Sequence, residues 1–300
     1  MDRRRFIKLA ALTGAGLSLP QGLQHIAAAA EPLTRPDLVV VHGASPEKLV
    51  KAALDAMGGI KNFISRGDIV VIKPNIGWDR TPEQAGNTNP EVVAAVVRLC
   101  FEAGAKKVKV FDRPVNDPRR CYVQSGIASA ASALGAETDY VDDRKFKDMA
   151  INGQVLKSWP LYTDIFEADK VINIPIAKHH GLAKLTMSMK NWMGVMGGSR
   201  RQIHQRLDGS LVDLSTKIKP TLTILDAVRI LTANGPQGGD LADVKKLDTI
   251  IAGVDQVAID SYGATLFGMK GSDLGYVTLG HKLGLGQMDL AKMKIKKIEV

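Results

Sequence analysis

Apolar positions in this chain cluster in short blocks separated by polar or glycine-rich stretches, and the spacing inside each block decides its element. Asp37-Leu38-Val39-Val40-Val41-His42 and Asp68 to Asn75 (DIVVIKPN) are continuous apolar runs too short for helices, which predicts buried strands. Lys107 to Asp112, Glu137 to Val141, Leu222 to Ala227, Thr249 to Gly253 and Lys294 to Val300 read as further strands. Between them lie helical signals. Ser45-Pro46-Glu47 opens a helix that runs to about Met57, where Gly58-Gly59 ends or bends it, and Asn89-Pro90-Glu91 opens VVAAVVRLCFEAG. Gly126 to Gly135 and Leu207 to Ile218 read as helices, and Asp255 caps one that runs through Leu266. Asn152-Gly153, between Met149-Ala150-Ile151 and Gln154-Val155-Leu156, is a hairpin signal. Strands that alternate with helices predict an α/β fold with a mostly parallel sheet, helices on both faces, in Rossmann-like layers.

The stretch that organises this pattern is Val171 to Gly198. Val171-Ile172-Asn173-Ile174-Pro175 predicts a strand that Pro175 stops, since proline has no N–H for the ladder. Lys178, His179 and His180 are therefore expected just past a strand end. From Leu185 the period changes to that of a helix, with Leu185, Met189, Trp192 and Met196 on one arc and Thr186, Lys190, Gly194 and Gly197 on another. The first arc is apolar and the second small, polar and cationic, so the second is expected to leave room for a ligand beside Lys190.

Ligands of open α/β sheets bind outside the carboxyl ends of the strands. That rule gathers Lys73, Asn75, Asp112, Asn173, Lys178, His180 and Asp226 along one edge, with Lys190 and Asn191 on the helix that follows. Lysines brought together at adjacent strand ends repel unless an anion or carboxylate lies between them, which points to an anionic small molecule or cofactor. Two readings follow. In one the chain is an enzyme, metal- or redox-linked, with Lys73 and Lys190 holding the anion and Asn75 and Asn191 donating hydrogen bonds. There His180, Lys178 and Asp112 are the catalytic candidates, His180 moving a proton and Asp112 or Asp226 orienting its ring. In the other the pocket only binds, as an accessory protein for a redox partner or cofactor. Gly235-Pro236-Gln237-Gly238-Gly239 offers backbone N–H groups at Gly235 and Gly238 to an anion. His180 with His42, His204, Asp112 or Asp226 is the candidate metal set, His180 and Asp226 foremost. No Walker loop, GxGxxG, GxSxG or HExxH motif is present.

Composition narrows these readings. Three hundred residues, 45% of them hydrophobic, suffice for a large core. The net charge of +9 falls to +6 for a chain that starts at Glu31, because the first thirty residues hold Arg3, Arg4, Arg5 and Lys8 against Asp2. The remaining basic residues are scattered rather than interleaved with stacking aromatics, which points away from nucleic acid. Cys100 and Cys121 cannot supply the four thiolates of an iron–sulfur cluster. Cys100 sits in an apolar run and reads as a buried hydrophobe, and in an oxidising compartment the two cysteines have the option of a disulfide. Asp2-Arg3-Arg4-Arg5-Phe6-Ile7-Lys8, a weakly apolar Leu9 to Leu19 and the small residues Ala27 to Ala30 resemble a twin-arginine export signal. The expectation is a signal at residues 1–30, recognised by the twin-arginine translocase, and one domain at 31–300 exported folded to the periplasm. Gly14, Gly16, Ser18 and Pro20 interrupt the leader's apolar run, and no later segment is apolar enough to span a membrane.

Lys73-Pro74-Asn75, Asn87-Thr88-Asn89-Pro90-Glu91, Asn173-Ile174-Pro175 with Lys178 and His180, Lys190-Asn191-Trp192-Met193-Gly194, Asp226 and Gly235-Pro236-Gln237-Gly238-Gly239 resemble the blocks of the domain-of-unknown-function 362 family, from about Asp37 to Met288. The resemblance implies an architecture and a pocket rather than a reaction. Some members carry an added ferredoxin-like segment with its iron–sulfur cysteines, which this chain lacks. The strand–loop–helix opening is also similar to the first domain of lactate racemase, without that enzyme's own motifs.

Overall fold

The computed structural model describes residues 35–300; the expected twin-arginine signal lies outside the described residues. The first half of the described chain runs through β1 (Leu38–His42), α1 (Pro46–Ala56), β2 (Ile69–Pro74), α2 (Pro90–Glu102), β3 (Lys107–Val110), α3 (Pro118–Gln124) and α4 (Ile127–Ser132). A hairpin of β4 (Phe146–Ala150) and β5 (Ser158–Tyr162), the short α5 (Asp164–Glu167) and β6 (Lys170–Ile174) follow. The second half holds β7 (Ile176–His180), β8 (Lys184–Thr186), α6 (Ser188–Asn191), α7 (Leu207–Lys217), β9 (Leu222–Leu231), β10 (Val244–Gly253), α8 (Gln256–Thr265), α9 (Gly275–Lys282) and β11 (Ile295–Glu299).

The main sheet runs β11-β1-β10-β9-β6-β2-β3, with β7 alongside β9 and β8 paired to β7. Pairing is parallel for β1–β11, β2–β3, β2–β6, β6–β9 and β7–β9, and antiparallel for β1–β10, β9–β10 and β7–β8. The predicted α/β fold with a mostly parallel sheet is therefore what forms. Strand alternation splits the core in two. On β1, Val39 and Val41 face a layer with Leu49, Val93, Val97 and Cys100 of α1 and α2, while Leu38 and Val40 face one with Met189, Leu211, Val257 and Val277 of α6 to α9. Helix starts follow the sequence signals: Ser45 accepts from the Lys48 N–H, and Asn89 from the Glu91 N–H at 2.8 Å. Cys100 and Cys121 are free, buried thiols in the first of these layers, and burial pushes them up to about 12 and about 11.

Four expectations are corrected. Pro175 ends β6, but the chain resumes as β7 along β9, with Ile176 opposite Asp226, so Lys178 and His180 lie on a strand. The helix expected from Leu185 does not form there. Leu185 pairs with His179 across the β7–β8 hairpin, α6 spans only Ser188–Asn191, and Trp192–Val195 tightens into a 3₁₀ turn. Residues 188–196 are buried on every side, so the apparent amphipathic arcs reflect two buried environments. Glu137 makes only a bridge to Lys109 instead of opening a strand. At Asn152-Gly153 the hairpin exists, but its turn closes through Gly153 N–H to Leu156 O, so the second strand waits until Ser158.

α6 matters most, because it carries Lys190 and Asn191. Its own N-cap residue Met187 offers no side-chain acceptor. Asp260 of α8 supplies one: its buried carboxylate accepts from the N–H groups of Ser188 at 2.7 Å and Met189 at 3.0 Å. Asp260→Ala orphans both buried donors and should cost at least about 1–3 kcal/mol of stability, read as a lower urea midpoint at unchanged slope.

Candidate functional site

Beneath the carboxyl edge of the sheet lies a buried ion pair. Lys73 at the end of β2 is wholly buried, and its ammonium sits 2.9 Å from Asp112, just past β3. Its other hydrogen bonds go to Pro74 O at 2.6 Å and Asn191 Oδ1 at 3.1 Å. Asp112 also accepts from the Ile76 and Arg113 N–H groups, at 2.6 and 2.9 Å. Gly194 makes room for the pair: a Cβ there would overlap the Asp112 carboxylate and lie 2.7 Å from the Lys73 nitrogen. Asn191 ties the helix to the strand ends, donating to Lys73 O at 3.1 Å and to Asn173 Oδ1 at 2.8 Å, and accepting from Asn75 at 3.0 Å.

Above this floor opens a cavity of about 510 Å³, within the range of small-molecule sites. Its walls include Asn75, Trp78, Asp112, Lys178, His180, Thr186, Lys190, Asn191, Met193, Arg200, Arg201 and His204. Asp112 is the one acidic residue in that lining, and Lys73 already pairs it. The lysines are less well served. Lys178 donates to Asn75 Oδ1 at 3.0 Å and Gly86 O at 2.5 Å, while among the described residues Lys190 has only the Met193 sulfur at 3.4 Å. Burial, then the Lys190 charge, pushes Lys178 well below the usual lysine range. Burial, then Arg200, brings Lys190 down to about 7. His180 Nδ1 accepts from the Leu182 and Ala183 N–H groups at 3.1 and 3.2 Å, so its proton resides on Nε2 and the ring is a donor. Burial, then Lys190 and the stacked His204, pushes His180 down to about 3.

The sequence-derived residues fall into two groups. Asn75, Asp112, Lys178, His180, Lys190 and Asn191 line one cavity. Lys73 and Asn173 do not line it; they are buried in the network beneath, Asn173 donating to Ser188 O at 3.1 Å. Asp112 is the counter-ion of Lys73 and not a partner of the imidazole. Asp226 is also away from the cavity. Its oxygens accept from the N–H groups of Asn89 at 2.7 Å and Val228 at 3.0 Å, and burial pushes it up to about 6. His42 contacts Thr249 instead of the cavity wall. No group of three or more His, Cys, Asp or Glu side chains suited to a metal occurs among the described residues, and a lining of lysines and arginines does not fit a bare cation. The Gly235 and Gly238 N–H groups are spent on His179 Nδ1 at 3.0 Å and Asn234 O at 3.2 Å, so that loop gives the cavity only the face of Pro236. Thr186, Trp78, Arg200 and Arg201 join the site without having been named as ligand residues, although Arg200 and Arg201 open a basic run visible in the sequence.

The Asn87-Thr88-Asn89 block shapes the wall that carries Asn75 and Trp78. Asn87 Oδ1 accepts from the Gly77 and Trp78 N–H groups at 2.9 and 3.0 Å. Thr88 links the Asn75 N–H at 2.8 Å to Ile174 O at 2.7 Å.

A depressed lysine pKa links stability to pH. Between about 7 and 10.5 the folded chain holds less of a proton on Lys190 than the unfolded chain does, so this residue makes stability rise with pH through that window and fall as pH drops. The difference in unfolding free energy between wild type and Lys190→Met should therefore change across pH 7–10 by up to about 1.4 kcal/mol per pH unit, measured by denaturant titration. A pH-independent difference would contradict it.

Residues 70–265 match the family described as Domain of unknown function (DUF362). Over 244 residues, 79% of this chain and 74% of the relative, the sequence is 29% identical to a thylakoid-associated protein of Synechocystis sp.. Among solved structures, the lactate racemase apoprotein of Thermoanaerobacterium thermosaccharolyticum is similar with a TM-score of 0.48 at 11% identity, over 77% of this chain and 57% of that one. A Thermotoga maritima protein is similar with a TM-score of 0.46 at 12% identity, over 76% and 60%. The chain thus spans less than two thirds of the length of either structure. The matched span takes in every wall of the cavity from Asn75 to Pro236, and the chain belongs to the domain-of-unknown-function 362 family.

Proposed function

We propose that the cavity binds a small organic anion and that Lys190 is the group that moves a proton there. The observation that carries this reading is the Lys190 ammonium, buried beside Lys178 and Arg200 with no carboxylate partner among the described residues. An unpaired buried cation is costly, and an incoming anion removes that cost. A group titrating near 7 also has the right acidity to accept or donate a proton at neutral pH. His180, held as an Nε2–H donor, serves the same anion by hydrogen bonding rather than as a base. Trp78 and Met193 offer an apolar wall to the rest of the molecule.

Calorimetric titration with inorganic phosphate, benzoate and pyruvate tests this reading. Saturable binding of at least one is expected, with proton uptake at pH 8 seen as a heat that depends on the buffer. At pH 6, where Lys190 is charged, Lys190→Met should weaken binding about ten- to hundred-fold, as for loss of a charged hydrogen bond. Folded wild-type protein that binds none of the three would refute it.

We also propose that the protein is exported folded, with Arg3 and Arg4 as the pair read by the twin-arginine translocase. Replacing both by lysine should leave the protein in the cytoplasm on cell fractionation, and normal export of that double variant would remove the proposal.

A further inference from the structure

We infer that Thr186 is a ligand-binding residue, and that its hydroxyl forms, with the Lys178 and Lys190 ammoniums and the His180 Nε2–H, a subsite for one deprotonated oxyanion group, carboxylate or phosphate. This rests on the anion reading of the cavity and specifies which group of the ligand enters it.

Two independent observations lead there. The first is an orphan. Thr186 is buried, and its Oγ1 has no hydrogen-bond partner among the described residues. Ser215 and Thr223 also bury unpartnered hydroxyls, but neither lines the cationic cavity, whereas Thr186 does. A buried hydroxyl left unpaired is a net cost to the fold, and at the cavity wall an incoming acceptor would remove that cost.

The second observation is register. In the antiparallel β7–β8 hairpin Lys178 lies directly opposite Thr186. Cross-strand partners share a face and residues two apart on a strand share it too, so Lys178, Thr186 and His180 form one surface of the hairpin. All three line the cavity, and Lys190 completes the wall from α6. His179 turns the other way, its Nδ1 accepting from the Gly235 N–H at 3.0 Å.

The chemistry of this set is one-sided. Among the described residues Lys178 has two of its three N–H groups engaged, Lys190 meets only a thioether, and His180 presents an N–H. A threonine hydroxyl can turn its hydrogen toward an acceptor. Four groups able to donate and no carboxylate acceptor left unpaired favour a group that only accepts, which is an ionised carboxylate or phosphate over its neutral acid or amide.

Thr186→Val and Thr186→Ser, melted without ligand and titrated with inorganic phosphate and with benzoate, test the assignment. Thr186→Val should melt at the same or a higher temperature than wild type, because a methyl replaces an orphan hydroxyl. It should bind whichever probe wild type binds about ten- to hundred-fold more weakly, with Thr186→Ser retaining most of the affinity. The preferred probe identifies the oxyanion as phosphate or carboxylate. Unchanged affinity in Thr186→Val, whatever its melting temperature, would overturn the role of Thr186 while leaving the anion reading intact. Wild type that takes up neither probe would overturn the subsite itself.

Discussion

The carboxyl edge of the sheet depends on the buried pair between Lys73 and Asp112. Removing both charges from water is expensive, and such a pair is tolerated only when each remaining donor and acceptor is met. Here they are: Lys73 reaches Pro74 O and Asn191, and Asp112 takes the Ile76 and Arg113 N–H groups. Because those partners come from β2, the loop after β2, the segment after β3 and α6, satisfying one ion pair fixes four segments at once. Gly194 is part of the same constraint, since a side chain there would occupy the space of the carboxylate. Burial still lowers the Lys73 pKa, with Asp112 opposing the shift.

One layer above, the same residue type meets the opposite treatment. Lys190 is nearly as buried as Lys73 but has no counter-ion among the described residues, and the fold accommodates it through an acidity that lets it lose its proton near neutral pH. His180 stays neutral for the same reason. The contrast separates scaffold from site on physical grounds. Lys73 is saturated by protein partners, so a ligand adds nothing to it, while Lys190 and Thr186 are unsaturated and gain most when an acceptor arrives.

Local signals were legible in the sequence wherever the local chain decides the outcome. The apolar runs at β1 and β2 became strands, and Ser45 and Asn89 became caps, because capping and alternation need no distant partner. Asn75 and Asp112 lie just past the ends of β2 and β3, as the strand-end rule has it, whereas Lys178 and His180 reach the cavity from within β7. Errors arose where tertiary contacts decide. Lys73, Asn173 and Asp226 look like ligand residues at strand ends, and nothing nearby in sequence shows that Asp112, Ser188 and Asn89 claim them. The helical period after Leu185 misled because that segment is buried all round, and a period reports amphipathicity only where one side meets water. Thr186 was visible on the polar arc, but only coordinates show its hydroxyl without a partner.

The hairpin explains why the cavity lies where it does. In a simple β–helix–β unit α6 would follow β6 directly and pack back on the sheet. Here Pro175 breaks the ladder after β6, the chain re-pairs with β9 as β7, and β8 folds back on it before α6 begins. The detour extends the sheet beyond the carboxyl ends of β2 and β6 and stands Lys178, His180 and Thr186 opposite the helix that carries Lys190. Without it those strand ends would be a solvated rim, where lysines keep their ordinary pKa and bind anions weakly. With it they become one wall of a half-open cleft whose buried donors, partly shielded from water, interact more strongly with an incoming charge than they would on a rim.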